Sequence, residues 1–143
     1  MRLVIAMDLT DKDTAALEGT ISLARSAGAD VILLNVFSPW LDMGHTTAPT
    51  TEERRAQVTA ERQEYLRKRA ESVQGVAIQT VVEQRRRAEE VDVCIARVAR
   101  ELGADILVVA SKRASGLRGV ILGSTALGLL RRSPCPVLVV RPE

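Results

Sequence analysis

An open, doubly wound α/β sheet of parallel strands is the fold this sequence predicts, and three observations predict it. Short aliphatic runs recur along the chain without the in-and-out alternation of a half-exposed sheet, which marks strands covered on both faces. Between them lie segments whose apolar residues fall at helical spacing. The turn Gly-Ala-Asp also leads from helix to aliphatic strand twice, in "SAGADVILLNV" at 26–36 and "ELGADILVVAS" at 101–111. Such alternation gives parallel strands joined by right-handed crossovers, and 143 residues suffice for one domain with a conventional core.

The elements follow in order. "RLVIAMD" at 2–8 is the first strand. Thr10 with Asp13 resembles a capping pair, and Leu17, Ile21 and Ala24 then share one face of a helix that Gly28 ends. "DVILLNVF" at 30–37 is the second strand, and "SPWLDMGHTTAPT" at 38–50, with two prolines and a glycine, is an irregular surface connection. Thr50 and Glu53 form a T-x-x-E box opening a long charged helix to about Val73, with Val58, Leu66, Ala70 and Val73 as a thin apolar stripe. "VAIQTVVE" at 76–83 is the third strand. Val91, Cys94, Ile95, Val98, Ala99 and Leu102 make the clearest helical stripe, which Gly103 terminates. "DILVVA" at 105–110 is the fourth strand, a short helix begins near Ser124, and "PVLVVR" at 136–141 is the last strand, where Pro136 fits only at a start or an edge.

Composition narrows the function. The chain is 46% hydrophobic but 2% aromatic, so the core is aliphatic and no stacking surface for bases is expected. With 20 basic against 18 acidic residues the net charge is +2, too balanced for nucleic-acid binding driven by phosphates. The N-terminus does not read as a signal peptide, and no apolar stretch approaches the ~20 residues a bilayer span needs. Cys94 and Cys135 lack C-x-x-C spacing, so neither a metal nor a disulfide framework is indicated, and the expected compartment is the cytoplasm.

In open α/β sheets ligands sit at the carboxyl ends of strands, where strand order reverses. That rule selects Asp8, after the first strand, and "ASKRASGLRGVILGST" at 110–125, which delivers Gly123 and Ser124 to the start of a helix. Backbone N–H groups there, the positive helix end and the Ser124 and Thr125 hydroxyls suit an anion such as phosphate. Gly-Ser before a helix also serves as a plain N-cap.

The whole chain resembles the universal stress protein family, on the opening "VIAMDLT", "LLNV" in the second strand, "ARELGADILVVAS", "LGST" and the closing "SPCPVLVVRPE". The resemblance implies a five-stranded sheet of order 3-2-1-4-5, adenine-nucleotide-hydrolase-like in type, a homodimer, and a stress-response binding or signalling role. One branch of the family binds ATP, with Mg²⁺, through G-x-x-G, nine residues, then G-[S/T]. Here the pattern reads Ala110-x-x-Arg113, nine residues, Gly123-Ser124. Ala110 adds one methyl at a strand end; Arg113 puts a side chain where backbone must close on phosphates, although a guanidinium can itself grip an oxyanion. Weakened or absent ATP binding is the expectation, with an ATP-binding sensor or very slow ATPase as the alternative. By resemblance Asp8 and Val36 serve the adenine and ribose end and Ala110, Gly123, Ser124 and Thr125 the phosphate end, with Arg113 beside them. Asn35 stands where the family commonly has a histidine.

A catalytic set is hard to assemble. His45 is the sole histidine and lies in the proline-rich connection, Cys94 is on an apolar helix face, and Cys135 sits between two prolines. The Arg85-Arg86-Arg87 run follows the third strand, also at a carboxyl end, and reads most simply as a solvated turn. The aliphatic last strand, Val137, Leu138, Val139 and Val140, is the expected dimer edge, because an exposed edge invites pairing and a twofold contact closes it; a protein partner is otherwise unspecified.

Overall fold

A computed structural model describes residues 1–10, 12–38, 52–111 and 122–141. Five parallel strands, β1 (Arg2–Ala6), β2 (Asp30–Phe37), β3 (Ile78–Gln84), β4 (Ile106–Ala110) and β5 (Val137–Val140), form one sheet of order β3-β2-β1-β4-β5. The connecting helices are α1 (Lys12–Ala27), α2 (Glu52–Glu71), α3 (Val91–Glu101) and α4 (Ser124–Arg132). The architecture and the strand order match the sequence expectation.

Alternate residues of the central strands serve opposite layers, as the strand period requires. On one face Leu3, Ile5, Val31, Leu33 and Val108 pack with Ala16, Leu17, Ile21 and Ala24 of α1 and with Leu66 of α2. On the other, Val4, Ile32, Leu34, Leu107 and Val109 meet Cys94, Ile95, Val98 and Ala99 of α3 and Ala126 and Leu129 of α4. Both helix-to-strand turns that share Gly-Ala-Asp use a left-handed glycine, Gly28 at φ 60° and Gly103 at φ 67°, a conformation that costs glycine little. The thin stripe of α2 is real, for among its residues only Val58 and Leu66 are fully buried.

The ends of elements differ from expectation in one place that matters. Strand β1 stops at Ala6, two residues before Asp8, because the chain turns sharply through Leu9, a non-glycine at φ 62°. Thr10 does not form the expected capping pair through its side chain: its hydroxyl and its N–H both go to Asp8 Oδ1. The capping runs the other way, from the Asp13 carboxylate back to the N–H groups of Asp8 and Leu9.

Pro136 stands one residue ahead of β5, as its missing N–H demands, and its carbonyl accepts from Leu107 N–H at 2.9 Å. All four residues of β5 are half-buried in this chain. Cys94 and Cys135 are free thiols, and burial pushes the Cys94 thiol up to about 12, which suits a core residue rather than a nucleophile.

Candidate functional site: a cleft at the carboxyl ends of the strands

The chain winds outward from β1 through β2 to β3 on one side, then crosses to β4 and winds outward to β5 on the other, so strand order reverses between β1 and β4. A cleft of about 390 Å³ opens there. Asp8, Val36, Ala110, Gly123, Ser124 and Thr125 all line it, brought together from β1, β2, β4 and α4. Arg113, Lys112 and His45 lie outside the described residues.

The β4–α4 end of the cleft is built from backbone. Ala110 is the last residue of β4, paired with Val140 in an ordinary extended conformation, so its methyl occupies no position reserved for glycine. Gly123 is the N-cap of α4 at φ −70° and ψ 168°. Its carbonyl takes Leu127 N–H at 3.0 Å, and as a glycine it has no side chain with which to cap the helix. First-turn N–H groups lack intrahelical acceptors and carry the positive end of the helix dipole, and here they sit among cleft-lining residues.

The β1–β2 end is built from side chains. Asn35, 2% exposed, donates through its amide to Met7 O at 2.8 Å and accepts from Arg62 Nη1 at 2.8 Å. The same guanidinium lies over the ring of Phe37, 5.1 Å from its centroid, a cation–π contact. Asn35 thus pins α2 to the end of β1, which explains the polar residue in a strand otherwise aliphatic. Arg85, at the end of β3, completes the lining and donates through Nε and Nη2 to Glu89 O. Its neighbours Arg86 and Arg87 are exposed, so the arginine triplet divides into one cleft residue and two solvated ones.

Asp13 is the cleft residue that sequence reasoning treated only as a helix-start signal. It is 2% exposed, and its carboxylate accepts Asp8 N–H at 2.9 Å, Leu9 N–H at 2.7 Å and Tyr65 OH at 3.2 Å. Burial pushes its carboxyl up to about 6; the neighbouring Asp8 adds to the rise, and the two backbone donors oppose it without cancelling it. Asp8 itself is exposed; its Oδ1 is engaged by Thr10. Arg62 has no local signal, because Asn35 lies 27 residues away in sequence; Asp13 has a local one, its bonds to Asp8 and Leu9, while its contact with Tyr65 spans 52 residues.

Among the described residues no group of three or more His, Cys, Asp or Glu side chains could hold a metal, and no helix is long and apolar enough to cross a membrane. What the cleft presents is a clamped acidic turn, two arginines, an apolar wall from Val36, Val109 and Ile95, and a helix N-terminus. That set can bind an amphiphilic anion with hydroxyl donors.

The universal stress protein family model matches residues 1–141. A universal stress protein of Bacillus subtilis (strain 168), YxiE, is 28% identical over 149 residues, covering 98% of each chain. Among solved structures, the universal stress protein UspA from Lactobacillus plantarum superposes with a TM-score of 0.70 at 18% identity, covering 99% of this chain and 97% of the other. A universal stress protein from Archaeoglobus fulgidus in complex with dAMP does so with a TM-score of 0.60 at 22% identity, covering 98% and 97%. The chain belongs to the universal stress protein family.

Proposed function

We propose that this protein is a stress-response binding module that acts as a homodimer and whose cleft takes an adenine nucleotide by its nucleoside and first phosphate, with little or no added hold on the outer phosphates of ATP. The observation that carries the reading is the convergence of Asp8, Val36, Ala110 and Gly123–Thr125 on one cleft at the reversal of strand order. Val36 and the facing aliphatics offer an apolar slot for the base, Asp8 an acceptor for sugar hydroxyls, and the uncapped start of α4 a seat for a phosphate. The dAMP held by the Archaeoglobus fulgidus relative is a ligand of this size and charge.

The outer phosphates of a triphosphate would depend on the stretch 112–121, where the ATP-binding pattern wants a glycine and this chain has Arg113. Ala110 does not weaken the case for ATP, since its backbone is extended; Arg113 does. The competing reading, a sensor that grips ATP with Arg113 in place of the glycine, draws on the affinity of guanidinium for phosphate. Titrating the protein with AMP and with Mg-ATP by calorimetry separates them. Equal affinities support the proposal, affinity for ATP tenfold higher supports the sensor, and Gly123→Asp, which puts a carboxylate at the phosphate seat, is expected to abolish binding of either.

For the dimer, β5 is an edge strand of four aliphatic residues left half-buried in the single chain, which a twofold partner would cover. Val139→Lys is expected to give folded monomers; an unchanged dimer mass in light scattering would remove β5 from the interface.

A further inference from the structure

We propose that Asp13 is a positioning residue of the cleft: its carboxylate spans the β1–α1 turn and sets the direction in which Asp8 presents its own carboxylate to the sugar hydroxyls of a bound nucleoside, so that binding there is linked to a proton on Asp13. The inference rests on the nucleotide reading above and deepens it.

The geometry is specific to a carboxylate. Asp8 N–H goes to Oδ1 at 2.9 Å and Leu9 N–H to Oδ2 at 2.7 Å, so both oxygens must be acceptors at once. A protonated acid or an amide offers a donor at one of the two and loses a bond there. Tyr65 OH adds a third donor at 3.2 Å, from α2 on the far side of the turn. Immediately after the second clamped N–H, within the loop that the Asp13 carboxylate closes, the chain adopts φ 62° at Leu9, a conformation that a side chain disfavours and that persists only where surroundings over-determine it. The clamp supplies that determination.

Its product is Asp8. Oδ1 of Asp8 is taken by the Thr10 N–H and hydroxyl, its carboxylate lies beside that of Asp13, and the residue is exposed in the cleft, where Oδ2 faces a ligand in this proposal. An acceptor held in one direction in this way suits a ligand bearing hydroxyl donors. Asp13 therefore need not touch the ligand to govern it.

The charges around Asp13 make its proton responsive. Asp8 opposes ionisation from the same turn; from α2, Tyr65 faces it with Arg69 behind, Nη2 to OH 3.3 Å; Arg62 of α2 and Arg85 after β3 line the same cleft. Burial leaves the carboxyl at about 6, where modest acidification protonates it.

The test uses adenosine 3′,5′-cyclic monophosphate, whose phosphodiester does not change charge near that pH, and begins without it. In the free protein the Asp13 carboxyl and the Asp8 and Leu9 amide resonances should titrate together near pH 6. Affinity for the cyclic nucleotide should fall by about five-fold on acidification with the same midpoint. Asp13→Asn, checked for its fold by circular dichroism, should bind weakly at every pH. Amides that stay fixed while Asp13 titrates would overturn the clamp, as would Asp13→Asn binding like wild type with the same pH profile. Absence of cyclic-nucleotide binding to wild type at millimolar concentration overturns the nucleotide reading and the linkage with it, while the amide titration still decides whether Asp13 holds the turn.

Discussion

At the β1–β2 end of the cleft the protein supplies its own partners: Asp13 takes two backbone N–H groups, Asn35 bridges Met7 and Arg62, and Arg62 rests on the ring of Phe37. At the β4–α4 end it supplies backbone donors, and the N-cap of α4, Gly123, has no side chain to offer them. The first end is organised before any ligand arrives, and its cost is a buried carboxylate and a left-handed Leu9. In the proposed function the second is completed by the phosphate of the ligand. The contrast suggests that one end recognises the shape and hydroxyls of a nucleoside, and the other supplies charge compensation that many phosphate-bearing ligands can use.

Loosening either end at its root should have the largest effect. Leu66 anchors α2, and with it Arg62 and Tyr65, while Leu129 anchors α4; both are 0% exposed. Leu66→Ala and Leu129→Ala should each cost about 2–5 kcal/mol in denaturant unfolding. If the ends are independent, amide shifts from Leu66→Ala gather around Asn35 and Asp13 and spare Ser124–Ala126; shifts spread evenly over the cleft would merge the two ends into one.

Smaller effects come from the polar and steric details. Asn35→Ala should cost about 1–3 kcal/mol, because Met7 O and the Arg62 guanidinium lose their buried partner. At the other end a Cβ on Gly128 would stand 2.0 Å from Asp92 Oδ2 and 2.9 Å from Asp92 Cβ. Relief requires Asp92 to move and break its bond to Arg132 Nε, 2.9 Å. Gly128→Ala should therefore destabilise by about 1 kcal/mol, strain exceeding the helix-propensity gain. In an Asp92→Ala background the same change should stabilise; a penalty that persists there would place the strain elsewhere.

A further effect is a pH dependence of opposite sign in two carboxylates. Asp13, raised to about 6 by burial, contributes stability that is fully present below the ordinary carboxylate value and lost as pH rises through about 6. Glu89, held at about 2 chiefly by the bidentate Arg97 guanidinium, contributes stability present above its ordinary value and lost as pH falls toward 2. Asp13→Asn should flatten the neutral limb of a stability–pH profile and Glu89→Gln the acid limb.

Much of the fold was legible because its signals are local. The aliphatic runs mark strands covered on both faces, Gly28 and Gly103 mark the left-handed ends of two αβ units, and the stripe from Val91 to Leu102 orients α3. Asp8, Val36, Ala110 and Gly123–Thr125 were also legible, since strand ends and a helix start are what a family motif records. The roles of Asn35 and Arg62 were not, as each acts through a partner brought near only by the sheet and by α2, and of Asp13 only the helix-start signal was, its contact with Tyr65 spanning 52 residues. The β1 end differs for another reason: the aliphatic run "RLVIAMD" gives no sign of the turn at Leu9 that the Asp13 carboxylate, four residues on, holds. Arg113, on which the fate of ATP depends, lies outside the described residues.

Amide-detected NMR titration with AMP and then with Mg-ATP reads out whether the cleft seats a nucleoside and one phosphate, as proposed. Saturable shifts are expected at Asp8, Val36, Gly123, Ser124 and Thr125 for both ligands, at comparable affinity, and none in Gly123→Asp. Shifts absent from these residues at millimolar AMP, or affinity for ATP ten or more times that for AMP, would contradict it.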